Sequence, residues 1–230
     1  MHKDFSKLEE TIGYTFVNRD ILTQACVHRS YLNEHPSFAT GHNERLEFLG
    51  DAVLELVVTE HLYVNYPNPE GELTNWRAAL VNAKMLADVA KEIDIESFLY
   101  LSHGESKDSG SKARMYILAN AFEALIGALY IDDGMAAAEP FIMKFVVGRL
   151  QRVLDEKLYL DPKSRFQEAA QETAGITPTY RVMDEKGPDH AKEFTVGAFL
   201  NDELVAQGIG MSKQEAQVDA AEKGLKAKGW

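Results

Sequence analysis

The feature that most constrains this chain is a change in the spacing of its apolar residues near Asp161-Pro162. Upstream, apolar residues recur at three and four in "DILTQACVHRSYL", "RLEFLGDAVLELVVTEHLYVNY", "LTNWRAALVNAKMLADVAKEI", "MYILANAFEALIGALYID" and "AAAEPFIMKFVVGRLQRVL". That is the period of helices with one buried side. "PNPEG" and "HGESKDSGSK" separate them as turns. Downstream, Asp161-Pro162 opens a helix with proline in its first turn, and the helix ends at Gly175. "TYRVMDE", "EFTVGAFL" and "ELVAQGIG" follow as three short strands, and "SKQEAQVDAAEKGLKAKG" closes as an Ala-rich helix with Ser212 as N-cap. The expected architecture is an all-α domain over residues 1–150, a linker over 151–160, and an α+β domain of order α-β-β-β-α over 161–230.

Within the first domain, "HNERLEFLGDAVLEL" carries Glu44, Glu47 and Asp51 at spacings of three and four. At about 100° per residue, Glu47 and Asp51 fall at about −60° and −20° from Glu44. Leu46, Leu49, Val53 and Leu56 lie roughly opposite, at about 120–200°, and are the expected core face. The carboxylates form either a solvated stripe or a cation site. Arg45 lies about 100° off the stripe, so these acids lack cationic partners at i+3 or i+4. Glu55 extends the stripe and reads as solvated. Phe48, at about 40°, is an aromatic on the polar side. It is either covered by a neighbouring helix or exposed to a partner. Further on, Asn120 and Glu123 share one face of "ILANAFEALIGALY". Facing Glu47 and Asp51 across a bundle, they would supply the oxygen-rich pocket that Mg²⁺ prefers. Histidine is sparse there, which disfavours zinc.

Composition excludes several classes. The single cysteine, Cys26, rules out an internal disulfide framework and any multi-cysteine zinc site, and a reducing cytoplasm is expected. No run approaches the ~20 uninterrupted apolar residues of a membrane span, and the N-terminus lacks the apolar core of a secretory signal. A net charge of −12 argues against an indiscriminate nucleic-acid binder. Residues 1–158 hold 15 Lys and Arg against 24 Asp and Glu, a balance of −9; residues 159–230 hold 9 against 12, a balance of −3. Metal ions can still make an acidic surface accept a polyanion.

"NERLEFLGDAVL" strongly resembles the signature of ribonuclease III, the endonuclease of double-stranded RNA. "HRSYLNE", "EGELTNWRAALV" and "ILANAFEALIGALY" fall in family order, and "GPDHAKEFTV" with "GIGMSKQEAQ" resembles the family's attached double-stranded RNA-binding domain. The resemblance implies a homodimeric all-helical endonuclease domain followed by that α+β domain. It implies a Mg²⁺ cluster at Glu47, Asp51, Asn120 and Glu123, with Mn²⁺ as a substitute, and catalytic duty for Asp51, Glu123, Glu44 and Glu70. It assigns Phe48 to a socket on the second subunit. Gln167, Glu168, His190 and Lys213 match RNA-contacting positions. The implied products carry 5′-phosphates and 3′-hydroxyls, with ribosomal RNA precursors and structured messages as substrates. No membrane and no organic cofactor are implied.

Two departures stand out. Asn120 occupies a position where the family usually has Asp; an amide coordinates through its carbonyl but adds no charge. Ser212-Lys213-Gln214 opens the last helix where two lysines are usual, and Gln217 stands at a position that is often basic. A binding domain at −3 should hold RNA weakly, with a shallow salt dependence. The alternative to an enzyme is a catalytically weakened double-stranded RNA-binding protein; a metal-binding scaffold without RNA is disfavoured by the second domain. Lys107, Lys112 and Arg114 either steer RNA or solubilise their loop.

Overall fold

The computed structural model describes residues 3–108, 110–188 and 192–230. The chain divides into two compact units, Met1–Glu156 and Lys157–Trp230.

The first unit is helical: α1 (Ser6–Ile12), α2 (Arg19–Ala25), α3 (Arg29–Glu34), α4 (Glu44–Asn65), α5 (Glu70–Val81), α6 (Ala83–Glu92), α7 (His103–Lys107), α8 (Lys112–Phe145) and α9 (Leu150–Asp155). Side-chain caps explain where several begin. Asn18 accepts the Asp20 N–H, Asn82 the Met85 N–H and Ser111 the Arg114 N–H, each satisfying a donor that a helix start leaves open. Asn82 therefore splits what periodicity alone reads as one helix over 73–93, and α2 and α3 split likewise at Cys26–His28. The turn expected at 103–112 holds the short α7. Residues 151–155, assigned to a linker by sequence, belong to α9, with Leu150 and Val153 buried.

α4 and α8 form the central pair. Leu118, Phe122 and Leu125 of α8 are fully buried, and burying each such side chain contributes about 2 kcal/mol. α8 is long and apolar enough by composition to cross a membrane, yet most of that stretch is covered by protein. It is broken at Asp133 and Gly134, where a φ of 63° at Gly134 suits a residue without Cβ. Cys26 is wholly buried, and desolvation pushes its thiol up to about 12.

The core face of α4 differs from the leucine stripe. Leu46, Gly50, Val53, Leu54, Val57, Val58 and Leu62 are buried, while Leu56 is 55% exposed. The buried face is rotated by roughly 80° from the one periodicity suggested. The reason is Gly50, which has no side chain to hold α8 away.

The second unit has α10 (Pro162–Ala174), strands β1 (Thr179–Lys186), β2 (Glu193–Leu200) and β3 (Glu203–Gly210), and α11 (Lys213–Lys228). The sheet is antiparallel in the order β1-β2-β3. Asp161 caps α10 through the Lys163 and Ser164 N–H groups, and Gly175 ends it at φ 68°. Phe166, Ala170, Ala198, Leu200, Ala220, Ala221 and Leu225 form the core. A Cβ at Gly208 would sit 2.1 Å from the Ala220 nitrogen and 2.2 Å from the Ala216 carbonyl oxygen. The alanines of α11 and Gly208 thus let helix and strand meet almost backbone to backbone. The α+β order expected from sequence is the order observed.

Candidate metal centre and RNA interface

The site in the first unit is set by a reciprocal glycine contact. A Cβ built on Gly50 would lie 1.8 Å from the Glu123 carbonyl oxygen, and one on Gly127 would lie 2.1 Å from that of Leu46. The α4 and α8 backbones therefore touch at this point. Glu47 and Asp51 flank Gly50 on α4, and Asn120 and Glu123 precede Gly127 by seven and four residues on α8. The close crossing is what brings the two polar pairs together.

Their electrostatics record that proximity. Glu123 is half-buried; desolvation, then the charges of Asp51 and Glu47, push its carboxyl up to about 8. Glu47 is raised by desolvation, by the Glu44 charge and, least, by that of Asp51, while a hydrogen bond with Asn120 works against the rise. Glu44, Glu47, Asp51, Asn120 and Glu123 thus share one field. Glu70, the first residue of α5, is exposed and enters none of these interactions.

Oxygen donors only, an excess of negative charge and a carboxyl driven to keep its proton suit a hard divalent cation in their chemistry. Among the described residues, no three His, Cys, Asp or Glu side chains already stand as a metal cage.

Several surroundings were not visible in the local pattern. Glu44 does have a cationic partner, from another helix: Arg29 Nη1 of α3 lies 3.4 Å away, and His42 Nδ1 lies 3.7 Å away. Glu55, read as solvated, is half-buried and pairs with Arg77 Nε at 3.1 Å. Asn43 is buried; its Nδ2 donates to the Ala25 carbonyl and its N–H to that of Val27, which fixes the start of α4. Arg114 is turned into the protein. It is 7% exposed, donates from Nε to Glu96 Oε1 at 2.8 Å, and reaches the Glu105 carbonyl. Phe48 is 81% exposed, so no neighbouring helix of this chain covers it.

In the second unit Gln167 and Glu168 are exposed on α10. Lys213 opens α11 over the Phe194 ring and pairs with Glu185 Oε1 at 3.3 Å. Gln217 is not remote from positive charge: Lys163 Nζ of α10 donates to its Oε1 at 2.8 Å while lying over the Tyr180 ring. His190 lies outside the described residues.

One chain thus joins a helical domain, which brings acidic and amide oxygens together at a helix crossing, to an α-β-β-β-α domain. A family model described as Ribonuclease-III-like matches residues 18–150, and one described as Double-stranded RNA binding motif matches residues 162–228. Ribonuclease 3 of Carboxydothermus hydrogenoformans is 45% identical, over 95% of this chain and 93% of its own. That of Streptococcus thermophilus is 40% identical, over 97% of each. The solved nuclease domain of Campylobacter jejuni ribonuclease III superposes with a TM-score of 0.57 at 36% identity, covering 63% of this chain and 97% of that one. The chain belongs to the ribonuclease III family and is an endoribonuclease.

Proposed function

We propose that this endoribonuclease hydrolyses double-stranded RNA with Mg²⁺ held by Glu47, Asp51, Asn120 and Glu123, Mn²⁺ serving in its place. Asp51 and Glu123 act at the reacting phosphate, with Glu44 and Glu70 as further acids of the cleft. The single observation that carries the reading is the Gly50–Gly127 contact, which sets two polar pairs from distant sequence against each other. Bound Mg²⁺ would activate water and screen the phosphate charge. The protein's own part is to orient that centre: Asn120 holds Glu47 through its amide, and Asn43 anchors the helix that carries Glu47 and Asp51. The products carry 5′-phosphates and 3′-hydroxyls, and ribosomal precursors and structured messages are the substrates. One buried thiol and an RNA substrate suit a cytoplasmic setting.

The Campylobacter structure describes a region of its nuclease domain involved in dimer formation. Phe48, Leu56 and Tyr63 are 81%, 55% and 79% exposed and lie within about 80° of one another on α4. This apolar strip supports a homodimer with Phe48 in the contact. In the second unit Gln167, Glu168, His190 and Lys213 hold the duplex, reading A-form shape more than sequence.

Incubating a long RNA duplex with the protein in Mg²⁺ or in EDTA tests the reading. Short duplex products only with metal are expected. A gel shift with no cleavage at any Mg²⁺ concentration would instead establish the second reading, a binding protein weakened by Asn120.

A further inference from the structure

The N-terminus of α11 is crowded by two acids. Glu215 Oε2 accepts the Met211 N–H while Ser212 Oγ accepts the Glu215 N–H. Glu185, from β1, reaches the same place. It lies 3.3 Å from Lys213 Nζ and 3.9 Å from Lys192 Nζ. Glu185 is the cross-strand partner of Phe194, whose ring lies under Lys213. One carboxylate thus engages a lysine on each side of the β1–β2 end of the sheet and holds the first lysine of the helix in place.

We infer that Glu185 is an intramolecular stand-in for an RNA phosphate, which the duplex must displace before Lys213 and Lys192 can grip its backbone. The inference rests on reading the second unit as the RNA-binding one. A carboxylate and a phosphate oxygen make the same charge-assisted hydrogen bond to an ammonium. They therefore compete for one site. The pair is partly exposed, Lys213 by 58% and Glu185 by 39%, so the contact is weak enough for a polyanion to replace. It also charges a toll on every binding event. Lys213 comes to the RNA already neutralised, and Glu185 remains beside the incoming phosphate. Glu185 thereby tunes the enzyme away from brief, nonspecific backbone contacts and towards duplexes long enough to engage α10 as well.

The matching pair at the other end of the same helix supplies a control. Glu203 Oε1 lies 2.8 Å from Lys228 Nζ, so Glu203→Gln makes the same charge change and also frees a lysine, but at the C-terminus of α11. Binding of the full chain to an RNA duplex of about 16 base pairs is measured by fluorescence anisotropy in EDTA, across a range of KCl. Glu185→Gln should tighten Kd about fivefold at low salt, and should steepen the slope of log K against log salt by about 0.9, one recovered phosphate contact. Glu203→Gln should do neither. In a Lys213→Gln background the gain from Glu185→Gln should fall by at least half. Unchanged or weaker binding by Glu185→Gln, an equal gain from Glu203→Gln, or a full gain without Lys213 overturns the inference while the wild type still binds RNA. Loss of duplex binding in the wild type and every variant overturns the RNA-binding reading itself.

Discussion

Gly50→Ala isolates the contact that builds the nuclease site. The added Cβ would lie 1.8 Å from the Glu123 carbonyl oxygen, against a floor of 3.0 Å for real contacts, so the helices must part by at least about 1.2 Å. The clashing atoms are backbone and cannot swing aside, which puts the overpacking cost near the top of its usual range, about 3 kcal/mol. Replacing a mid-helix glycine by alanine returns about 1 kcal/mol of propensity. The net loss is about 2 kcal/mol, or roughly 4–8 °C in Tm for a unit of this size. That leaves the protein folded at 25 °C. Activity should suffer far more, because Asp51 and Glu123 sit on the two backbones that separate, and a displacement near 1 Å costs about 100-fold in rate. Gly71→Ala is the control: nothing lies within 4 Å of that Cβ, so Tm should hold or rise. Differential scanning fluorimetry and kcat/KM on a duplex substrate read both effects. A Gly50→Ala protein as stable and as active as wild type would refute the reasoning.

Other perturbations separate the remaining roles. Asn120→Asp adds a charge beside Glu47 and Glu123. It should lower Tm in EDTA by a few degrees and lower the Mg²⁺ concentration for half-maximal cleavage; an unchanged Mg²⁺ requirement would mean the missing charge is not limiting. In metal-free protein, Glu123 keeps its proton up to about 8, whereas the unfolded carboxyl loses it near its ordinary value of 4.5. The unfolded state then binds fewer protons, so stability should fall as pH rises through that window. Glu123→Gln should flatten this fall in urea titrations run in EDTA. Arg114→Met should cost about 2 kcal/mol through loss of the Glu96 pair. It should leave the salt dependence of RNA binding unaltered, and a shallower slope would restore Arg114 to the RNA face.

Much of this molecule was legible because the signals are local. Helical spacing, Asp161-Pro162, Gly175 and Ser212 gave the α-β-β-β-α order to within a residue or two, since caps and strand alternation act over a few residues. Asn82 was a readable cap that continuous periodicity hid. The five polar residues on α4 and α8 could be named from their spacing, whereas Glu70, exposed at the start of α5, could only be carried over by resemblance.

What sequence alone determined was therefore the type and order of the elements and the identity of the polar pairs on α4 and α8. Tertiary structure decided which side of α4 is core. Periodicity ranks sides by side-chain hydrophobicity, while packing ranked them by how closely a backbone could approach, and Gly50 with Gly127 outweighed Leu56. Tertiary structure also gave Glu44 its Arg29, Arg114 its Glu96 and Lys213 its Glu185. Each partner is distant in sequence, and an ion pair leaves no periodic trace for a chain read one residue at a time.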